Sequence, residues 1–404
     1  MSSLACRPLR AALLFAVAAT AVSAQSWSTP ARITAAGLPA GSRFGAAVSL
    51  SGHTLVLGAP DDSTSTPYAG SAYVFLRQDG VWRQQARLTG PATEGYRSFG
   101  ETVAVDGDTL VVGAPFDDPD GYASGAAYVY GRSGTSWQLR AVLRPADPAE
   151  DKQFGHAVAI DNDVIVVGAF LDSDYALYSG AAYVFTSATG PWTQVAKLTA
   201  SDPSEVAFFG SAVAIQDHTI VVGAPVAESA YVFGRRSGRY VQVARLRSND
   251  YDPDDTYVAF GAAVSVDAGR IAVGAPLAAF NGVQSGAAYV FGKSGSNWVQ
   301  QARVLAQGGQ PETEFGTAVA LRQNTLVVGA PYEGDQNQGA VFVYQLVNAE
   351  WTQNARLTAP AKPAVAFLGI SVAAGTDGVV GGAPGYSYEG ATSVVGAAEV
   401  FAPR

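Results

Sequence analysis

The chain has 404 residues, and its 34 acidic and 25 basic side chains leave a formal charge of −9, which argues against nucleic acid or an anionic membrane as partner. Only 15% of residues are charged while 48% are apolar, and there are 45 glycines; this excludes a disordered chain and fits a large β-rich globule with many tight turns. A single cysteine, Cys6, excludes an internal disulfide framework and a thiolate metal site.

At the N-terminus, Arg7 and Arg10 precede an apolar run from Ala11 to Val22 that is too short to span a bilayer. With the small residues Val22, Ser23 and Ala24 after it, the segment reads as a signal peptide cleaved before Gln25. Cleavage removes Cys6 and two arginines, leaving residues 25–404 with a charge of −11. The expected destination is outside the cytoplasm: secreted, periplasmic or at the cell surface. No later stretch has the length and apolarity of a transmembrane helix.

Beyond the leader the chain repeats itself with a period of about 55 residues, the range of blade and solenoid architectures. Phe-Gly recurs at Phe44, Phe99, Phe154, Phe209, Phe260 and Phe315, and a stretched seventh copy reads Phe367-Leu368-Gly369. Gly-Ala-Pro follows from Gly58, Gly113, Gly223, Gly274, Gly329 and Gly382, while the third copy reads Gly168-Ala169-Phe170. Each copy holds four short β-type runs, such as Thr102 to Val105, Leu110 to Gly113, Ala126 to Tyr130 and Trp137 to Leu143. Turns such as Asp106-Gly107-Asp108 and Arg132-Ser133-Gly134 separate them. The expected fold is therefore all-β, a seven-bladed β-propeller of four-stranded antiparallel blades forming one domain over residues 25–404.

The fourth-strand signature at Trp82, Trp137, Trp192, Tyr240, Trp298 and Trp351 appears once more at the start, as Trp27 to Ile33, and is missing from the last copy. The N-terminal strand should thus complete blade seven and close the ring, tying down both termini.

These motifs resemble the FG-GAP repeat proteins, the family that includes the propeller of integrin α chains, across essentially all of the chain after the leader. The likeness is greatest to a bacterial branch whose repeat runs Phe-Gly, Val-Val-Gly-Ala-Pro, Gly-Ala-Ala-Tyr-Val-Phe and Trp-x-Gln-x-Ala-x-Leu. It implies roles in recognition and adhesion. Integrin-like copies carry an Asp-x-Asp-x-Asp-Gly calcium loop before Gly-Ala-Pro; here the hairpins, from Ser51-Gly52-His53 to Thr376-Asp377-Gly378, are too short to supply six oxygens. No cofactor is therefore expected.

In such a ring the second-to-third-strand loops and the blade-to-blade loops share one face. That face holds 23 of the 34 carboxylates, whereas the third-to-fourth turns carry Arg77, Arg132, Arg235, Arg236, Arg239 and Lys293. Tyrosines interleave with the acids, a mixture that stacks on a sugar ring and accepts its hydroxyl protons, or anchors a protein. The candidate ligand-binding residues are Asp117, Asp118, Asp120, Tyr122, Asp172, Asp174, Tyr175, Tyr178, Tyr251, Tyr332 and Tyr388. A separate acidic run offers Asp250, Asp252 and Asp254 as calcium candidates, although Pro253 and the lack of a glycine at its sixth position depart from an EF-hand loop. Blade four is irregular, since only Val226 to Ser229 separate its inner strands, which leaves room for a cleft wall.

No catalytic constellation is expected, because His53 and His218 sit in equivalent hairpins and His156 follows Phe154-Gly155 near a blade junction. The reading is a secreted, non-catalytic protein- or glycan-binding propeller. Two alternatives stay open: a glycoside hydrolase using a carboxylate pair on the acidic face, and a purely structural scaffold.

Overall fold

The computed structural model describes residues 26–91, 97–188, 190–252, 257–280, 282–360, 365–386 and 394–404. Their strands form seven four-stranded antiparallel sheets, each a meander, arranged as the blades of a propeller. Blade two is representative: Thr102–Asp106, Thr109–Ala114, Ala126–Ser133 and Ser136–Leu143 pair in that order from the axis outward. Second strands such as Thr54–Ala59 and Val164–Ala169 are buried throughout because a neighbouring blade covers each face, which is why they read as unbroken apolar runs. Fourth strands lie on the rim and alternate between exposed and covered positions.

Blade seven closes as expected. Its order is Ala31–Ile33, Ala397–Phe401, Gly378–Ala383 and Val372–Gly375, so the first strand of the chain is the last strand of the ring. The closing strand is shorter than the Trp27-to-Ile33 run of the sequence, since Pro30 offers no amide to the ladder. Trp27 still pairs with Pro403 as an isolated bridge, and its indole donates to Asn354 Oδ1 at 3.1 Å.

Adjacent blades are joined at three radii. Near the axis, the last side chain of one blade's first strand accepts an amide from the next blade's hairpin: Ser51 from Gly107 (3.1 Å), Asp106 from Asn162 (2.8 Å), Asp161 from Asp217 (2.7 Å), Gln216 from Ala268 (2.7 Å) and Asp267 from Gln323. The series stops where Arg322 and Gly375 occupy the position in blades six and seven. At the rim, the fourth-strand glutamines Gln194, Gln242, Gln300 and Gln353 accept amides from the loop leaving the preceding blade, at 2.8–3.0 Å.

Midway between these radii, a glycine before the third strand bridges the Phe of the next Phe-Gly pair: Gly70 to Phe99, Gly125 to Phe154, Gly180 to Phe209, Gly286 to Phe315, Gly339 to Leu368 and Gly396 to Phe44. The bridge leaves no room for a side chain, since a Cβ on Gly125 would lie 2.0 Å from the Phe154 carbonyl oxygen. Each Phe packs edge-on or tilted against its own blade's third-strand aromatics, as Phe99 does on Tyr128 (5.3 Å) and Tyr130 (6.3 Å).

Candidate functional site

Beneath the loop face, a polar cluster recurs in the blades. In its full form, in blades one and three, an acid two residues after the Pro position of Gly-Ala-Pro meets the tyrosine of the third strand and a cation at the penultimate position of the fourth; blade six keeps acid and cation with Phe342 in place of the tyrosine, and blade seven carries its acid, Glu399, in the third strand. In blade one, Asp62 Oδ2 accepts from the Tyr73 hydroxyl at 2.7 Å and pairs with Arg87 at 3.0 Å. Burial pushes the Asp62 carboxyl up, but hydrogen bonds from Thr64, Tyr73 and Ser71 outweigh it and hold it below the ordinary range. Blade six pairs Glu333 with Arg356 at 2.9 Å, and blade seven pairs Glu399 with Arg32 at 2.6 Å.

Blade three carries the densest version. The buried Lys152 ammonium lies 2.9 Å from Asp172, 3.2 Å from Asp147 and 3.2 Å from Asp174, while Lys197 lies 3.0, 2.7 and 2.5 Å from the same three acids. Tyr183 donates to Asp172 at 2.7 Å. Among the described residues, Asp147, Asp172 and Asp174 form the one group of acids whose ligating oxygens lie within 4.8 Å of one another. Two ammoniums already fill that space, so the donor set does not suit a cation.

This cluster decides the place of several sequence candidates. Asp117 and Asp172 are buried and engaged inside their blades, Asp117 by the Tyr128 hydroxyl and by Arg97 at 3.6 Å. Both are therefore held by protein partners, with Asp117 7% and Asp172 0% exposed. Asp118 is exposed but caps its own loop, accepting the Ala123 amide at 2.6 Å, and Asp120 faces Arg144 at 3.7 Å. Asp174 belongs to the lysine cluster. Tyr122 and Tyr175, 70% and 66% exposed, stand out from the loops of adjacent blades, and Tyr178 is exposed beside Tyr175. Tyr332 is half-buried, packed edge-on against Phe367 at 5.5 Å. Tyr388 and Asp254 lie outside the described residues. The histidines do not converge with these groups: His156 stacks on Phe170 at 4.2 Å, and burial pushes its imidazole down to about 4.

Blade four builds something different. Ala224 pairs directly with Ser229, so its loop is a four-residue turn where blade one has the eleven residues Pro60 to Gly70. Ala227 takes the place of the framework acid, and Tyr231 and Arg245 turn instead to Asp202 of the preceding loop. No loop glycine reaches the next Phe-Gly pair. Glu228 takes over that function: its Oε1 accepts the amides of Val258 (2.8 Å) and Ala259 (3.0 Å), and its Oε2 accepts that of Phe260 (3.0 Å). Burial pushes the Glu228 carboxyl above its ordinary value despite these three amides.

The short turn uncovers a cleft of about 370 Å³ between blades four and five. Tyr251, Tyr257, Phe280, Asp250, Asp252 and Glu228 line it above a floor that includes Phe260 and Tyr289. Arg247 lies over the Tyr251 ring at 4.1 Å and Arg303 over the Phe280 ring at 4.0 Å, and Arg303 also pairs with Asp250 at 2.8 Å. Of the sequence candidates, Tyr251, Asp250 and Asp252 meet here. Tyr257, Phe280 and Glu228 were not among them, although the shortened spacing between Gly-Ala-Pro and the third strand of blade four marked the place.

Fold and site together define a repeat propeller whose loop face carries a built framework and an aromatic-lined cleft between blades four and five. The chain belongs to the FG-GAP repeat family, whose repeat matches residues 27–75, 82–130, 137–185, 192–238, 240–291 and 298–344. Each matched unit but one starts at a Trp of the fourth strand, so the sequence repeat spans a blade junction. Among solved structures, the chain is similar to the crystal structure of the RRP9 WD40 repeats, at 12% identity over 94% of this chain and 100% of that one, with a TM-score of 0.58. It is also similar to the structure of U3-55K, at 12% identity over 93% of this chain and 98% of that one, with a TM-score of 0.56. At that identity the likeness is one of fold. No curated protein sequence matches. Among the described residues, no helix is long and apolar enough to cross a membrane.

Proposed function

We propose that this protein is an exported, non-catalytic binding propeller that engages a protein or glycan ligand through its loop face. The observation that carries the reading is the cleft between blades four and five, where three aromatic side chains and three carboxylates converge because one loop is cut to a turn. The exposed Tyr122 and Tyr175 extend the same face toward blades two and three. Membership of the FG-GAP family supports binding as the class of function.

The test is binding of the purified protein to immobilised glycans and to extracellular proteins, with calcium and with chelator. The wild type is compared with a variant carrying Tyr122→Ala, Tyr175→Ala and Tyr257→Ala. Saturable binding that the triple variant loses while keeping its unfolding temperature is the expected outcome. Folded protein that binds neither class would leave the scaffold reading in its place.

A further inference from the structure

We infer that the cleft between blades four and five is a saccharide site, with Tyr257 and Phe280 as stacking platforms and Glu228 as the residue that positions its wall. This rests on the binding reading above and narrows it to one place and one ligand chemistry. Two observations disfavour charged ligands. The lining carries three carboxylates, Asp250, Asp252 and Glu228, which repel an anion. The aromatic rings already hold cations, Arg247 on Tyr251 and Arg303 on Phe280, so a second cation meets like charge within a few ångströms. A neutral, hydroxyl-rich ring suffers neither penalty. Its C–H face stacks on the exposed surface of Tyr257 and Phe280, 44% and 41% exposed, and its hydroxyls donate to the carboxylates at the rim. A recess of about 370 Å³ holds a ligand of that size, not a flat protein surface.

Glu228 enters through geometry. Its carboxylate holds the Val258, Ala259 and Phe260 amides, and Tyr257, next in sequence, rides on the segment so fixed. Every other junction with a described bridge uses backbone there. Among the described junctions this is the one where a side chain stands in for the backbone bridge, so the wall can be altered without touching the ligand platforms.

The experiment is titration calorimetry with a panel of neutral gluco-, galacto- and N-acetylglucosamine oligosaccharides. The proteins are the wild type and the Tyr257→Ala, Phe280→Ala, Glu228→Ala, Glu228→Gln and Tyr122→Ala variants, with amide exchange at residues 258–260 followed in parallel. At least one saccharide should bind, with affinity falling about tenfold in Tyr257→Ala and in Phe280→Ala. Glu228→Ala should weaken binding and speed exchange at 258–260 together, and Glu228→Gln, which keeps one acceptor oxygen, should do less of both. Saccharide binding lost in Tyr122→Ala and unaffected by Tyr257→Ala would overturn the location while leaving loop-face binding intact. A blank panel beside protein binding in the previous experiment would overturn the ligand chemistry alone; a blank in both would remove the binding reading as well.

Discussion

Two junctions of the ring are exceptional, in opposite ways. Between blades seven and one the chain is not continuous and Gly375 leaves out the axial joint, yet the joint midway along the blades is in place. Gly396 bridges Phe44, the Phe44 amide donates to the Val395 carbonyl at 3.1 Å, and the Ser371 hydroxyl donates to the Gly45 carbonyl at 3.0 Å. Between blades four and five the chain runs straight through, but the glycine bridge is gone and one carboxylate substitutes for it. Cohesion in this ring follows from which amides find acceptors, not from where the backbone is covalent. The second lesson concerns function: both seams leave a recess, about 170 Å³ at the closing seam and about 370 Å³ at the interior one, where the loop is cut to a turn.

The largest way to break this comparison is inside blade seven, where the first strand of the chain pairs with Ala397–Phe401 to close the ring. Arg32→Ala leaves the Glu399 carboxylate buried without its cation and should cost about 3–5 kcal/mol, read as a fall in the urea midpoint. At the interior seam, Glu228→Ala strands three amides beside a wet cleft. A loss of about 2–4 kcal/mol is expected there, with exchange rising at residues 258–260 before the rest of the molecule.

Acid should sharpen the contrast further. Net of burial, the partners of Asp62 and Asp172 hold these carboxyls below their ordinary value of 3.8; hydrogen bonds from Lys197 and Lys152 do the same for Asp147. Their contribution is present above that value and is lost as the pH falls through the lowered folded-state values. Burial raises Glu399 and Glu228 instead, so protonating them favours the folded state. Unfolding midpoints should therefore drop below about pH 4, and Asp172→Asn should flatten that drop while Glu228→Gln leaves it alone. The smallest effect belongs to the rim: Gln194→Ala should cost about 1 kcal/mol, because the Ala146 amide it releases is open to water.

The ring was legible in the sequence because its repeat is periodic in both the core and the turns. Phe-Gly, Gly-Ala-Pro and the displaced Trp27 strand fixed blade number and closure before any coordinates. The site was legible only in part. Loop acids such as Asp117 and Asp172 look like surface charge, and their burial depends on Tyr128, Arg97, Lys152 and Lys197, which lie up to 25 residues away in sequence. In blades one and three the acid, the Ala-Tyr-Val tyrosine and the penultimate cation of the fourth strand stand at the same offsets, a signal the other copies keep only in part. Glu228 had no such signal. It is a single departure whose meaning appears only when the missing glycine of its blade is set beside the amides it serves.

The joints at the axis and the rim bear on how such a chain gains or loses copies. From blade one to blade five, each blade offers an axial acceptor to its successor, so the parts of a joint are split across two copies; Arg322 and Gly375 leave that joint out after blades six and seven. A tandem duplication would meet ready partners on both sides. Copy number is therefore written in no single joint; it is set by the angle between blades and by the need for Trp27 and Pro403 to meet.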